Sequence, residues 1–138
     1  MTEAVLDASV VLKWFGPEQR GSREAHAIRE DYEAGRLTVA VPALLFLELL
    51  NIAGRRWAWE DEALLELATA LDDLLFDVAE PELQSIASWV ARGLTAYDAA
   101  YVALAEERGQ PLVTDDQTIV AIAGDIAQQL VGGSKPGS

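Results

Sequence analysis

A set of short apolar segments, each too short for a helix and separated by longer helix-forming stretches, limits most what this chain can become. Glu3-Ala4-Val5-Leu6, Leu37 to Val41, Phe76 to Val78 and Pro111-Leu112-Val113-Thr114 read as buried strands of three to five residues. Continuous apolar runs, as opposed to alternating ones, belong to strands covered on both faces, the habit of parallel sheets whose crossovers are helices. The expected fold class is therefore α/β: a three-layer α/β/α arrangement around a central, mostly parallel sheet of four to five short strands. Ligands of such sheets bind beyond the carboxyl ends of the strands. Chemistry is thus to be sought just after each strand.

The stretches between strands carry helix signals. Val10 to Phe15 starts a helix that Gly16-Pro17 breaks. Ser22 to Ala34 favours helix and stops at Gly35. Pro42 suits a first helical turn, and Ala43 to Trp57 is too long and too apolar for a strand, so it reads as one buried helix. Glu60 to Leu75 is amphipathic, with Leu64, Leu67, Ala68 and Leu71 on one side. Glu80-Pro81 opens a helix that closes at Gly93, Thr95 to Arg108 forms another ended by Gly109, and Asp116 to Ala123 starts the last.

Residues 1–131 are expected to form a single domain, and the Gly/Ser/Pro-rich residues 132–138 a disordered tail. The absence of cysteine excludes disulfides, thiolate metal sites and cysteine nucleophiles, and the single histidine, His26, excludes a site built on two imidazoles. The first residues lack the pattern of a signal peptide, and no apolar run reaches the roughly 18 residues of a membrane span. A cytoplasmic protein is expected.

Several acids stand in places that call for explanation. Asp7 follows the first strand, where it either caps the helix beginning near Ser9 or serves a site. Asp116 repeats that arrangement after Thr114, with Asp115 beside it. Glu48 lies among Leu44, Leu45, Phe46, Leu47, Leu49, Leu50 and Ile52, so its carboxylate must be paired, with Arg55 or Arg56 for instance, neutralised, or bound to a metal. Thr95 and Asp98 fit a capping box, which sets Asp98 at a helix start. No one of these acids is specific. Together, four carboxylates converging on one pocket repel one another unless divalent cations lie between them. All-oxygen ligands suit Mg²⁺ or Mn²⁺, one or two ions, and not zinc.

The same positions carry a family resemblance. Val5-Leu6-Asp7-Ala8-Ser9-Val10, running on into Leu12-Lys13-Trp14-Phe15, resembles the opening signature of PIN domains in VapC-type toxins. Val41-Pro42 leading to Glu48 and Asn51 resembles their second motif, and Leu94-Thr95-Ala96-Tyr97-Asp98-Ala99-Ala100-Tyr101-Val102-Ala103-Leu104-Ala105 their third. Leu112-Val113-Thr114-Asp115-Asp116 resembles the last. Order and spacing agree over residues 4 to about 122. The resemblance implies a PIN-like fold and a metal-dependent endoribonuclease, the toxin of a toxin–antitoxin pair. It implies Asp7, Glu48, Asp98 and Asp116 as the catalytic, metal-binding acids, with Asp115 sharing the last position or replacing Asp116. Ser9, Asn51 and Thr114 would be supporting polar groups. A homodimer and a VapB-like antitoxin are the implied partners, the antitoxin laying an apolar face in a groove and placing an Arg or Lys among the site acids.

The net charge of −13, from ten basic and twenty-three acidic residues, runs against nucleic-acid binding, which normally needs a basic footprint. Either the chain binds no polyanion, or it does so through metal ions held by its carboxylates. Lys13, Arg55, Arg56 and Arg92 are the candidates for RNA phosphate contact. Trp14 and Phe15 stack on a base or pack in the core, and Trp57 and Trp59 suit an interface. The rival readings are a non-catalytic binding module of the same fold, a phosphoacceptor receiver domain and an aspartate-nucleophile phosphatase. The receiver would need a late strand-end lysine, but Lys135 lies in the tail; the phosphatase would need an Asp where Ser9 stands.

Overall fold

The structure, a computed structural model, describes residues 2–131. It opens with strand β1 (Thr2–Leu6), whose last three residues are buried, and β1 leads into a short helix α1 (Ala8–Val11) that tightens into a 3₁₀ turn, Leu12–Trp14. Helix α2 (Ser22–Glu33) returns the chain to β2 (Leu37–Val41), and α3 (Leu44–Asn51) with α4 (Asp61–Asp73) carries it to β3 (Asp77–Val78). The helices α5 (Leu83–Ala91) and α6 (Ala96–Arg108) then lead to β4 (Leu112–Thr114), and α7 (Gln117–Ile122) to β5 (Ala127–Gln129).

The five strands form one sheet in the order β3-β2-β1-β4-β5, parallel throughout. The chain winds outward from β1 through β2 to β3 and then crosses back to β4. Right-handed crossovers therefore send the helices of the two halves to opposite faces. β1 lies where the winding reverses, with β2 on one side and β4 on the other. The register pairs Leu6 with Val113, so the residues after them, Asp7 and Thr114, emerge side by side.

The core is built on Val5, Leu6, Val41 and Leu112, all fully buried, and on α6, where every residue from Ala99 to Ala105 is buried. A helix buried on all sides needs small residues to let its neighbours approach. Four of those seven are alanine, and α5 packs along α6. The guanidinium of Arg92 covers the Trp89 ring at 4.4 Å, and Trp14 donates its indole N–H to Ala25 O at 2.8 Å from inside the core.

Several expected elements differ in detail. The helix expected over Ala43 to Trp57 ends as an α-helix at Asn51 and continues as a π turn, Ile52–Arg56, in which Trp57 N–H reaches Ile52 O at 3.1 Å. Gly54 weakens the regular ladder there. The widened turn seats the Trp57 ring against Gly16, where an added Cβ would lie 2.2 Å from it, and Ala58 takes a positive φ of 57° to leave the helix. The helix expected from Glu80-Pro81 begins only at Leu83, after an extended Glu82 at ψ 145°, while the Glu80 side chain accepts Ala43 N–H at 2.8 Å. A fifth strand lay within the expected four to five, but its segment, β5, was not identified from the sequence. Ala127-Gln128-Gln129 has no strand signal of its own and is extended because the edge of β4 offers unpaired backbone groups. The expected tail, 132–138, lies outside the described residues.

Because Ala103 is fully buried between sheet and helix, Ala103→Leu should overpack the core. A loss of about 1–3 kcal/mol is expected, read as a lower urea midpoint at unchanged m-value.

Candidate active site

Asp7 lies at the carboxyl end of β1, buried, and performs two tasks. Its Oδ1 accepts the Ser9 N–H at 3.0 Å and so caps α1. The Ser9 hydroxyl also donates to Oδ1, at 2.5 Å, and the Thr114 hydroxyl donates to Oδ2, at 2.5 Å. Each hydroxyl gives its one proton to Asp7 and uses a lone pair on the loop after β4: Ser9 Oγ accepts Asp115 N–H at 2.8 Å across the two strand ends, and Thr114 Oγ1 accepts Asp116 N–H at 3.0 Å within its own loop. With two donors on Oδ1 and one on Oδ2, the free acceptor capacity of Asp7 is chiefly on Oδ2.

Asp116 repeats the arrangement at the end of β4, its Oδ1 capping α7 by accepting Ile119 N–H at 3.0 Å. The cap occupies one oxygen and leaves the other. At the start of α6 only half of the capping box forms: the Thr95 hydroxyl accepts Asp98 N–H at 3.1 Å, while the Asp98 carboxylate is turned to the cavity. Glu48 comes from α3. It is half-buried, and its partner is neither Arg55 nor Arg56 but Tyr101, whose hydroxyl donates to Oε1 at 2.8 Å. Tyr101 lies one turn beyond Asp98 on α6, so a single helix supplies one acid and steadies another.

Asp7, Glu48, Asp98, Asp115 and Asp116 line one open cavity of about 310 Å³ beyond the carboxyl ends of β1 and β4. Two cations share the lining. Arg56, the last residue of the π turn, has no ion pair among the described residues, whereas Lys13 is buried and its Nζ lies 3.1 Å from Asp115 Oδ2. The remaining sequence candidates fall elsewhere. Asn51, Arg55 and Arg92 are exposed and off the cavity; Trp14 is in the core, and Phe15 lies under the Arg29 guanidinium, 5.2 Å away. Two polar lining residues were not singled out from the sequence. The i, i+3 spacing from Asp98 was the signal for Tyr101; Gln19 comes from an irregular loop and had none.

The field inside the cavity favours protons or cations. Burial pushes the Asp7 carboxyl from 3.8 up to about 6, against the pull of Ser9 and Thr114, and the Asp116 charge adds to the rise. Glu48 is raised by burial and by Asp98, with the Tyr101 hydrogen bond opposing; Asp98 is raised by burial and by Asp116. Burial and the neighbouring acids likewise raise the Tyr101 phenol, which stays a protonated donor. Among the described residues no three His, Asp or Glu side chains already stand in a geometry that would enclose an ion. The donor set is all oxygen, which fits Mg²⁺ or Mn²⁺.

The sequence model of the PIN domain matches residues 4–125. The chain belongs to the PIN-domain family. Ribonuclease VapC3 of Pyrobaculum aerophilum is 34% identical over 121 residues, which cover 83% of this chain and 90% of that protein. The crystal structure of PAE2754, also from Pyrobaculum aerophilum, superposes with a TM-score of 0.67 at 26% identity, over 94% of this chain and 90% of that one. Mycobacterium tuberculosis VapC20, a toxin that cleaves the sarcin-ricin loop, shares the fold at 14% identity, with a TM-score of 0.65 over 86% of this chain and 93% of that one. The PIN fold thus accounts for the five parallel strands and for the crevice in which the acids stand.

An acid whose proton affinity folding raises stabilises the native state below its unfolded pKa and loses that contribution as pH climbs through the folded value. Without divalent cations, stability should therefore fall as pH rises from about 4 through about 6. Asp7 alone, raised from 3.8 to about 6, accounts for up to about 3 kcal/mol at about 1.36 kcal/mol per unit. Urea unfolding in EDTA across this range should show a flatter profile for Asp7→Asn, and the variant should be the more stable protein near pH 8.

Proposed function

We propose that this chain is an endoribonuclease that hydrolyses RNA phosphodiesters with the help of Mg²⁺ or Mn²⁺, and that it is the toxin of a VapBC-like pair acting in the cytoplasm. The observation that carries the reading is the set of Asp7, Glu48, Asp98 and Asp116 on one cavity at the switch point of a PIN fold, three of them with raised proton affinity. Kinship with Ribonuclease VapC3 supports RNA as the substrate.

Asp7 Oδ2 and the uncapped oxygen of Asp116 are the groups that would hold one ion, with Glu48 and Asp98 available on the facing wall for a second or for its water shell. Such a cation, when bound, supplies activation of water and neutralisation of charge on the phosphate. The residues of the chain do the rest. Ser9 and Thr114 hold the Asp7 carboxylate in one orientation, and Tyr101 does the same for Glu48. Glu48 or Asp98 orients the attacking water and takes its proton. Attack by water leaves a 5′-phosphate and a 3′-hydroxyl. Arg56, free of any acid partner among the described residues, is the phosphate contact on the rim. In an otherwise acidic chain, one placed guanidinium and bound cations give a local and not a global attraction for RNA.

A VapB-like antitoxin and a second copy of the chain are the proposed partners. The exposed Leu47 on α3 and Leu65 on α4 offer apolar surface for either. Among the described residues no helix is long and apolar enough to cross a membrane.

Cleavage of a mixed single-stranded RNA pool in Mg²⁺ or Mn²⁺ is the deciding measurement, on protein freed of any antitoxin. Cutting should vanish in EDTA and fall at least about a hundredfold in Asp7→Asn. Cutting that survives both would refute the reading. Arg56→Ala should raise KM for RNA severalfold with kcat little changed, because it removes binding shared by ground and transition states.

A further inference from the structure

Lys13 is the cation of the site that cannot reach solvent. Its side chain is 3% exposed, its Nζ donates to Ser9 O at 2.6 Å, and it pairs with Asp115 Oδ2 at 3.1 Å. A buried ammonium is costly unless paired and hydrogen-bonded, and the fold makes deliberate room for this one. Gly21, at φ 90°, lies over its stem, where an added Cβ would come within 2.9 Å of Lys13 Cε. Asp115 is partly exposed, at 21%, and points into the same cavity as Asp116.

Resting on the metal-dependent reading above, we infer that Lys13 is a positioning residue that withdraws Asp115 from the cation-binding set and leaves Asp116 as its strand-end acid. The two aspartates are neighbours in sequence and line the same cavity, so the chain needs a device to distinguish them. Lys13 neutralises one. The other has one oxygen committed to Ile119 N–H and one free. The pair also steadies Asp7: Lys13 holds the Ser9 carbonyl, Asp115 N–H holds the Ser9 hydroxyl, and that hydroxyl donates to Asp7. The phosphate-contact role expected of Lys13 from the sequence needs an accessible ammonium, which this geometry does not provide.

Mn²⁺ titration of the whole protein by calorimetry, with bound Mn²⁺ monitored by electron paramagnetic resonance, tests the assignment. Lys13→Met frees a carboxylate beside the site and should tighten Mn²⁺ binding roughly two- to fivefold, the size of a screened charge–charge effect. Asp115→Asn should weaken it by a similar factor, and the double variant should return to within about twofold of wild type because the two changes cancel. Asp116→Asn should weaken binding more than about tenfold. If burial makes Lys13→Met unable to fold, the contrast between Asp115→Asn and Asp116→Asn still decides, since a larger loss at Asp115 overturns the assignment. A double variant as weak as Asp116→Asn makes Asp115 a ligand and overturns it too. So does a Lys13→Met protein with unchanged Mn²⁺ affinity but weakened RNA binding, which would make Lys13 a phosphate contact. Wild-type protein that binds no Mn²⁺ sinks the metal-dependent reading and this role together, whereas wild-type binding with the order of the aspartates reversed overturns only the role of Lys13.

Discussion

A hydroxyl at the end of one strand meets a carboxylate at the end of its neighbour: Thr114 Oγ1 donates to Asp7 Oδ2 across a separation of 107 residues. The rest of the site depends on that meeting, and the meeting depends on the pairing of β1 with β4. Only two register pairs join these strands, Val5 with Leu112 and Leu6 with Val113, and all four side chains are buried. Bringing together segments so far apart has an entropic cost that grows slowly with length. Burial of large aliphatic groups, about 1.5–3 kcal/mol each, offsets it. Because the pairing is apolar and short, it fixes register without placing any polar group of its own in the crevice. The polar groups come next in the chain, on both strands at once.

Single-proton donors link these polar groups. Ser9 and Thr114 each give their proton to Asp7 and each receive a backbone N–H from the loop after β4. This ties Asp7 to Asp115 and Asp116 without letting the carboxylates touch. Tyr101 does the equivalent for Glu48. The acids are held apart, oriented and desolvated, so each raised carboxyl costs the protein stability near neutral pH. Stability given up at a site in favour of preorganised charge is usual in enzymes.

The same local arrangement bears on the difficulty that a net charge of −13 poses for the proposed RNA substrate. Charge over the whole surface governs long-range, nonspecific attraction, and this surface discourages it. Charge at the crevice is set locally. There Lys13 is paired with one acid, and Arg56 stands at the rim at the end of the π turn that follows α3. π turns often mark functional positions, and here Arg56, the last residue of such a turn, stands at the edge of the cavity with Glu48 and Ile52.

Apolar segments of three to five residues alternating with helix-forming stretches were enough to predict an α/β fold with a parallel sheet, because the period and length of apolar runs are local properties. The acids Asp7, Glu48, Asp98 and Asp116 were legible for a similar reason: each stands at a strand end, at a helix start or within an apolar helix, where a carboxylate needs a purpose. Destinations of side chains were not legible. Lys13 reads from the sequence as a candidate phosphate contact, and only the tertiary structure buries it, against Gly21 and Asp115. Glu48 reads as needing a partner, but its donor, Tyr101, lies 53 residues away on another helix. Strand β5 has no local signal and exists because β4 presents an open edge. The amino-acid sequence by itself determined which segments are apolar, where helices begin and stop, and which acids sit where an acid is costly. The tertiary structure alone decided which charges meet, because partners so far apart along the chain become neighbours only when the sheet's register is set.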